Sequence, residues 1–526
     1  MKIRYIATLL LLAVGAVSCK DWLDVYPKSE ITSNKVFENE DGFYSALAGL
    51  YIKMADDELY GFDLTCGYID MMGGAVFTGG GAYLTYYANN FYADPSYAGI
   101  VAPLQFPAFN HTRGQIRTER TDNRYEIIWT KIYNIITNTN LLLDELNKVD
   151  GGMFEAGIKE LLTGEALAVR AYLHLDLVRL FQPPYLSEQG KTAKRIPYME
   201  TLDALKFVPS STTDEILDKV DADLAHAAEI MKDNDPISSG KSYHTLMFST
   251  NRQYKMNYYA VKLLQARSFL YRGKDKAAYD AAMEVIDAAQ GAGIHFITEA
   301  ERSRVDSYGT PVDRSCPQEN LFALLTDELS ENSIDAVKIN GSSKRLGMYG
   351  RLASNKWLSA TSGLIPEAFF SSASDIRINL WKRTVYPSGM VGKYIRESSD
   401  AEDIALYPKQ AVTLLKLGEA YLIAAEAAIS AVSPGEGQRI LNLLQAERRG
   451  GIYPSADEEG LREEILLEYR RETLSDGQLF YAYKRRNEPQ LTTLYQTPDY
   501  TYYFTMDDNK YTPDIPDKEY NSGRTY

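Results

Sequence analysis

Residues 258–289 read YYAVKLLQARSFLYRGKDKAAYDAAMEVIDAA. Tyr258 to Tyr271 reads as one helix, Arg272-Gly273-Lys274-Asp275 as a tight turn, and Ala277 to Ala289 as a second helix. The small residues Ala278, Ala281 and Ala282 let the second helix lie close against the first. That is the logic of a tetratricopeptide-like helical hairpin, and stacked antiparallel pairs make a curved right-handed scaffold. The pattern predicts a second pair at Gln410–Ser430 and Glu436–Arg449, with Pro434-Gly435 in the turn, and one further long helix from Glu458 to Arg486. Upstream, Leu162, Ala166, Val169, Leu173, Leu177 and Leu180 fall three or four residues apart between Leu161 and Phe181, so one helix face is buried. Pro183-Pro184 stops that helix. Ile128, Ile132, Ile135, Leu142 and Leu146 repeat the pattern over Tyr125 to Val149, and Thr212 or Thr213 caps a helix running to about Met231. The expected fold is mainly α.

Three regions break the helical pattern. Residues 60–124 are rich in Gly, Tyr and Phe, and residues 295–400 mix short apolar runs with turn residues. The tail, 487–526, alternates polar and aromatic residues, as in Tyr500-Thr501-Tyr502-Tyr503-Phe504. On a scaffold spanning about 122–290 and 408–486, such excursions are expected as irregular loops and short strands forming a ligand-binding face. No Pro/Ser/Gly-rich linker or low-complexity tract divides the chain, so 19–526 reads as one binding domain.

The N-terminus reads as a lipoprotein signal peptide over 1–18. Lys2 and Arg4 form a basic start, Ile6 to Val14 a short apolar run, and Ala16, Val17 and Ser18 the small residues beside a cleavage site. Cys19 is then the first mature residue and the expected lipidation site. At ~0.8 kcal/mol per buried methylene, two or three acyl chains make an effectively permanent anchor. Loss of 1–18 removes two basic side chains and no acidic ones, moving the formal charge from −15 to −17. That disfavours nucleic acid, where cationic patches supply most of the affinity. Apart from Cys19 the cysteines are Cys66 and Cys316: too few for a disulfide framework, with one bridge and two buried thiols both open. The 39 Tyr stand against 4 Trp, and a ring with a polar tip suits half-wet surfaces as well as cores.

No catalytic, metal or cofactor pattern emerges. His226-x-x-Glu229 lacks the second histidine of a zincin and reads as a solvated helix face. Gly79-Gly80-Gly81 lacks the Lys-Ser/Thr of a phosphate loop and reads as a flexible turn. Neither a Gly-x-Ser-x-Gly elbow nor a Cys-x-x-Cys is present. No pair among the 71 acidic residues is singled out for glycoside hydrolysis.

The start of the expected mature chain, Cys19-Lys20-Asp21-Trp22-Leu23-Asp24-Val25-Tyr26-Pro27, resembles that of the SusD/RagB family of outer-membrane nutrient-binding lipoproteins. So do Trp129-x3-Tyr133-x2-Ile136-x3-Asn140, Gly164-Glu165-Ala166-x3-Arg170-Ala171-Tyr172, and Lys262 to Gly273 with its helical partner. Further matches are Asp375-x-Arg377, Ala420-Tyr421-Leu422-x3-Ala425-Glu426-Ala427, Asn442-x5-Arg448-x-Gly450 and Pro513-Asp514-Ile515-Pro516-x2-Glu519. Their order along the chain carries the resemblance. The chain departs from the family where Lys416 replaces the usual Arg. It departs again in Glu468-Tyr469-Arg470-Arg471-Glu472-Thr473-Leu474 and in Phe480-Tyr481-Ala482-Tyr483-Lys484-Arg485. The resemblance implies a surface-exposed lipoprotein, not an enzyme, anchored in the outer membrane. It would sit over a SusC-type TonB-dependent barrel and pass it captured oligomers, glycans in most branches and peptides in some.

The expected ligand-binding residues are Tyr83, Tyr86, Tyr87, Asn89, Asn90, Phe91 and Tyr92, in a segment that cannot form an amphipathic helix. Sugar C–H faces pack on aromatic planes, and hydroxyls need directed amide partners. By analogy with ring pairs each aromatic contributes about 0.5–1.5 kcal/mol, so long oligomers bind through many weak subsites. Trp357 joins this platform from the second irregular region, with Tyr349 upstream, whereas Trp22, Trp129 and Trp381 read as packing. The rival readings are a peptide binder of the same architecture, a surface hydrolase, and a structural lid that touches no ligand.

Overall fold

A computed structural model describes residues 36–65, 68–73, 119–202, 207–305, 315–326, 370–381, 410–497, 500–516 and 518–519. The chain divides into two units, Met1–Ala46 and Leu47–Tyr526. The described part of the first holds a turn and the opening residues of helix α1 (Glu40–Met54).

The second unit is built on nine further helices of eight or more residues, counted among the described residues. They are α2 (Glu119–Lys148), α3 (Ile158–Phe181), α4 (Thr213–Lys232), α5 (Tyr258–Tyr271), α6 (Asp275–Ala289), α7 (Leu417–Ala431), α8 (Pro434–Glu447), α9 (Glu458–Glu472) and α10 (Leu479–Arg486). From α2 to α8 each helix packs on the next, forming a continuous row. The contact between α6 and α7 holds that row together across more than a hundred intervening residues. Mainly helical organisation, with hairpins as the repeating unit, is therefore as expected from the sequence.

Local chemistry explains the boundaries. Thr212 caps α4 in a reciprocal box, its hydroxyl accepting from Glu215 N while the Glu215 carboxylate accepts from Thr212 N. Asn257 caps α5, and Ser433 caps α8 with Pro434 at its first position. Helix α3 is apolar on nearly every face because it lies between α2 and α4. Its Gly164 permits the approach of α4: a Cβ there would lie 2.3 Å from Met231 Cγ.

Two segments differ from the sequence reading. Gln410–Lys416 is a strand, β2, rather than the start of a helix, and it pairs antiparallel with β1 (Asn320–Thr326). Its partner lies some ninety residues away, and Ala411, Val412, Leu414 and Leu415 are all buried, so helical and strand readings of the run are equally apolar. The single helix expected over Glu458–Arg486 is two, α9 and α10, separated by a turn over Thr473–Gln478. Ser475 (φ 68°) and Gly477 (φ 69°) adopt left-handed backbone there, which no α-helix passes through. The tail forms a hairpin, β3 (Gln490–Thr497) with β4 (Tyr500–Thr505).

Many tyrosines are core residues. Tyr60, Tyr172, Tyr198, Tyr271, Tyr469, Tyr481 and Tyr511 are buried, so part of the tyrosine excess serves the scaffold. No helix of the described residues is long and apolar enough to cross a membrane.

Candidate ligand-binding site and its supporting frame

The expected contact residues Tyr83, Tyr86, Tyr87, Asn89, Asn90, Phe91, Tyr92 and Trp357 lie outside the described residues, as do Tyr349, Gly79-Gly80-Gly81, Cys66, Trp22 and Cys19. The structure describes the feet from which the two variable segments spring. The first is flanked by described residues ending at Gly73 and resuming at Glu119; the second is flanked by Thr326 and Gln410, with residues 370–381 described between them.

The first foot is held by one carboxylate. Asp70, in the short helix Tyr68–Met72, accepts the backbone N–H groups of Ser475 (2.6 Å) and Gly477 (3.0 Å). A carboxylate with two N–H donors satisfies the left-handed turn, which has no helical partner for those groups. Gly477 is also hemmed in: a Cβ would come within 2.5 Å of Leu64 O.

The second foot is held by a buried ion network centred on Glu472, the last residue of α9. Arg377 pairs with Asp375 (2.7 Å) and with Glu472 (3.0 Å), and also reaches Glu468. Arg448 donates to Glu319 (2.7 Å from Nη1) and to Glu472 (3.0 Å from Nε). Lys416, at the end of β2, pairs with Asp476 (2.7 Å), lies 3.4 Å from Glu472, and donates to the Glu472 backbone carbonyl. Burial alone would raise the Glu472 carboxyl, but Arg448, Lys416 and Arg377 together hold it well below the usual carboxylate range. Burial likewise opposes the charge on Lys416, yet Asp476 and Glu472 push it up to about 12. Such a network is costly to desolvate, and Glu472, Arg377, Arg448 and Lys416 each offset that cost with more than one opposite charge.

Both feet therefore rest on the same six residues. Asp70 grips Ser475 and Gly477, while Lys416 grips Asp476 and the backbone of Glu472 just before the turn. The sequence matches Asp375-x-Arg377 and Arg448-x-Gly450, and the departures Lys416 and Glu468–Leu474, meet at this hub. Their common role is support, which the sequence reading does not assign. Other matched residues also pack: Trp129 Nε1 donates to Glu519 (3.2 Å) and its ring meets Phe181 edge-on at 5.1 Å, as expected of a scaffold tryptophan. Asn140 accepts from Arg170 (3.0 Å), and Arg485 forks onto Glu426.

His226 and Glu229 are both exposed on α4, the solvated face expected of them. His174 is buried: its Nδ1–H donates to Arg170 O (2.9 Å) and its Nε2 accepts from Met199 N (3.0 Å), which requires the neutral ring. Burial is the main reason its pKa is pushed down to about 3. Among the described residues no cluster of three or more His, Cys, Asp or Glu could hold a metal ion.

Comparison with known proteins shows what this frame is similar to. A SusD-like family model described as "Starch-binding associating with outer membrane" matches residues 75–243. The SusD-like protein P25 of Formosa agariphila is 23% identical over 229 residues, which are 43% of this chain and 38% of that protein, so the match spans well under half the relative's length. A sugar binding protein from Bacteroides vulgatus has the same fold, with a TM-score of 0.62 at 20% identity, covering 92% of this chain and 96% of that one. A SusD superfamily protein from Bacteroides thetaiotaomicron aligns with a TM-score of 0.61 at 20% identity, over 92% and 98% of the two chains. The SusD-like family model thus matches residues 75–243, and the chain shares the fold of SusD superfamily structures along nearly its whole length.

Proposed function

We propose that this chain is a surface-exposed outer-membrane lipoprotein that captures an oligomeric glycan and passes it to a SusC-type TonB-dependent barrel. SusD-like proteins are a family of binding proteins rather than enzymes. The observation that supports the reading is that described residues flanking the two variable segments, Asp70 and Lys416, both bind the Thr473–Gln478 turn. Two loops with a common footing can present aromatic groups to one ligand. In this reading Tyr83, Tyr86, Tyr87, Phe91 and Tyr92 from the first segment and Trp357 from the second form the platform, with Asn89 and Asn90 supplying directed polar contacts. The family description as starch-binding and the description of the Bacteroides vulgatus structure as sugar binding support a glycan. Residues 1–18 serve as the signal peptide, and Cys19 carries the lipid anchor.

The test is calorimetry and affinity electrophoresis of the purified protein against a panel of α- and β-glucans and other polysaccharides. At least one glycan should bind, and changing the six aromatics together to alanine should abolish that binding while leaving the unfolding midpoint in place. Undiminished binding by that variant removes the site assignment. Peptides co-purifying with a barrel–lipoprotein complex, with no glycan bound from the panel, would overturn the glycan reading.

A further inference from the structure

Helices α3, α5, α7, α9 and α10 meet around a cavity of about 30 Å³. Three arginines reach it, each already paired. Arg179 donates to Asp176 (2.8 Å) and Gln478 (2.5 Å), Arg267 to Glu419 (2.7 and 2.6 Å) and Leu414 O (2.9 Å), and Arg485 to Glu426 (2.9 and 2.6 Å). Charge is balanced at the wall. Hydrogen bonding is not: Arg267 Nη1, the Tyr271 hydroxyl and the Tyr481 hydroxyl have no hydrogen-bond partner among the described residues, and all three residues line the cavity.

These side chains are more than nine-tenths buried, so bulk water does not satisfy them. Buried polar groups are otherwise almost always paired, and three around one small void point to an occupant. Each vacant position can donate. A guanidinium N–H can do nothing else, and a phenol hydroxyl donates readily. Helix α10 begins beside Gln478, which lines the same wall and gives the helix no side-chain cap. The acceptors nearby, Glu419 and Gln478 Oε1, are already engaged by Arg267 and Arg179. A ligand that accepts several hydrogen bonds and is far smaller than a sugar ring fits these donors.

We propose that this cavity binds a single chloride-sized monovalent anion, which bridges Arg267, Tyr271 and Tyr481 and locks α10 onto the helix row. The site is independent of the glycan reading and lies in the scaffold rather than on the loops.

The experiment measures thermal unfolding of the full chain in sodium chloride, bromide or gluconate at matched ionic strength, alongside anomalous diffraction from crystals grown in bromide. The midpoint should rise by several degrees in chloride and bromide over gluconate, and a bromide peak should lie within hydrogen-bond distance of Arg267 Nη1. The double variant Tyr271→Phe/Tyr481→Phe, which removes two hydroxyls and no packing volume, should lose the halide-specific rise. Equal midpoints in the three salts overturn the proposal, as does a cavity holding only water with no anomalous signal. The diffraction arm needs no variant and decides the matter if the double variant fails to fold.

Discussion

Glu472→Gln tests whether the buried hub holds the second foot. The substitution keeps the shape of the side chain and removes the one charge that faces Arg448, Lys416 and Arg377 together. Breaking a buried ion pair on one side costs about 3–5 kcal/mol. Here the three cations keep Glu319, Asp476, Asp375 and Glu468, so the expected loss is near the lower end, about 3 kcal/mol. The control is Glu200→Gln: Glu200 pairs with Lys219 at 2.8 Å with both side chains over two-fifths exposed, and should cost less than about 1 kcal/mol.

Acid sharpens the test. The Glu472 carboxyl is depressed in the folded chain, so its contribution is fully present above the unfolded value of about 4.3 and is lost as pH falls toward the folded one. Urea unfolding followed by tryptophan fluorescence, near neutral pH and again at about pH 3, reads both quantities. The gap between wild type and Glu472→Gln should be wide at neutral pH and shrink in acid. A neutral-pH gap under about 1 kcal/mol would refute the hub as a source of stability. A gap that does not narrow in acid would show that the lost term is not the carboxylate charge.

Two further outcomes follow from the packing. His174 should stay neutral across the physiological range, its NMR ring signals unmoved between about pH 5 and 8, because burial holds its pKa at about 3. Its folded pKa lies below the unfolded one, so its contribution to stability is complete above about 6.5 and falls away as acid is added; a ring that titrates near 6.5 in the folded protein contradicts the assigned hydrogen bonds. Gly164→Ala should destabilise the chain by about 1–3 kcal/mol in the same urea assay, since the new methyl meets Met231 where α3 crosses α4. An unchanged midpoint would show that Met231 swings aside freely.

The scaffold was legible in the sequence because its signals are local. The α5–α6 hairpin depends on a 3.6-residue period, small residues on one face and a four-residue turn, all within thirty-two positions. Strand β2 was not legible, because what makes Gln410–Lys416 extended is its pairing with β1, far away in the chain. The break between α9 and α10 left a cue in Thr473, Ser475, Asp476 and Gly477, residues that favour turns, but strong helical patterns on both sides mask it. The hub is a different case. Asp375, Arg377, Arg448 and Glu472 are charged residues, yet nothing in their spacing says that three distant segments bring them together. Charge partners that meet only in three dimensions leave no period to read.

The position of the Thr473–Gln478 turn also sets the order in which the protein can be completed. Asp70, Glu319, Arg377 and Lys416 are all synthesised before the residues they grip. A growing chain that has reached residue 450 holds Asp70, Arg377 and Lys416 but lacks Glu472, Ser475, Asp476 and Gly477, which they meet in the finished fold. These buried contacts are thus completed only when nearly all of the chain exists.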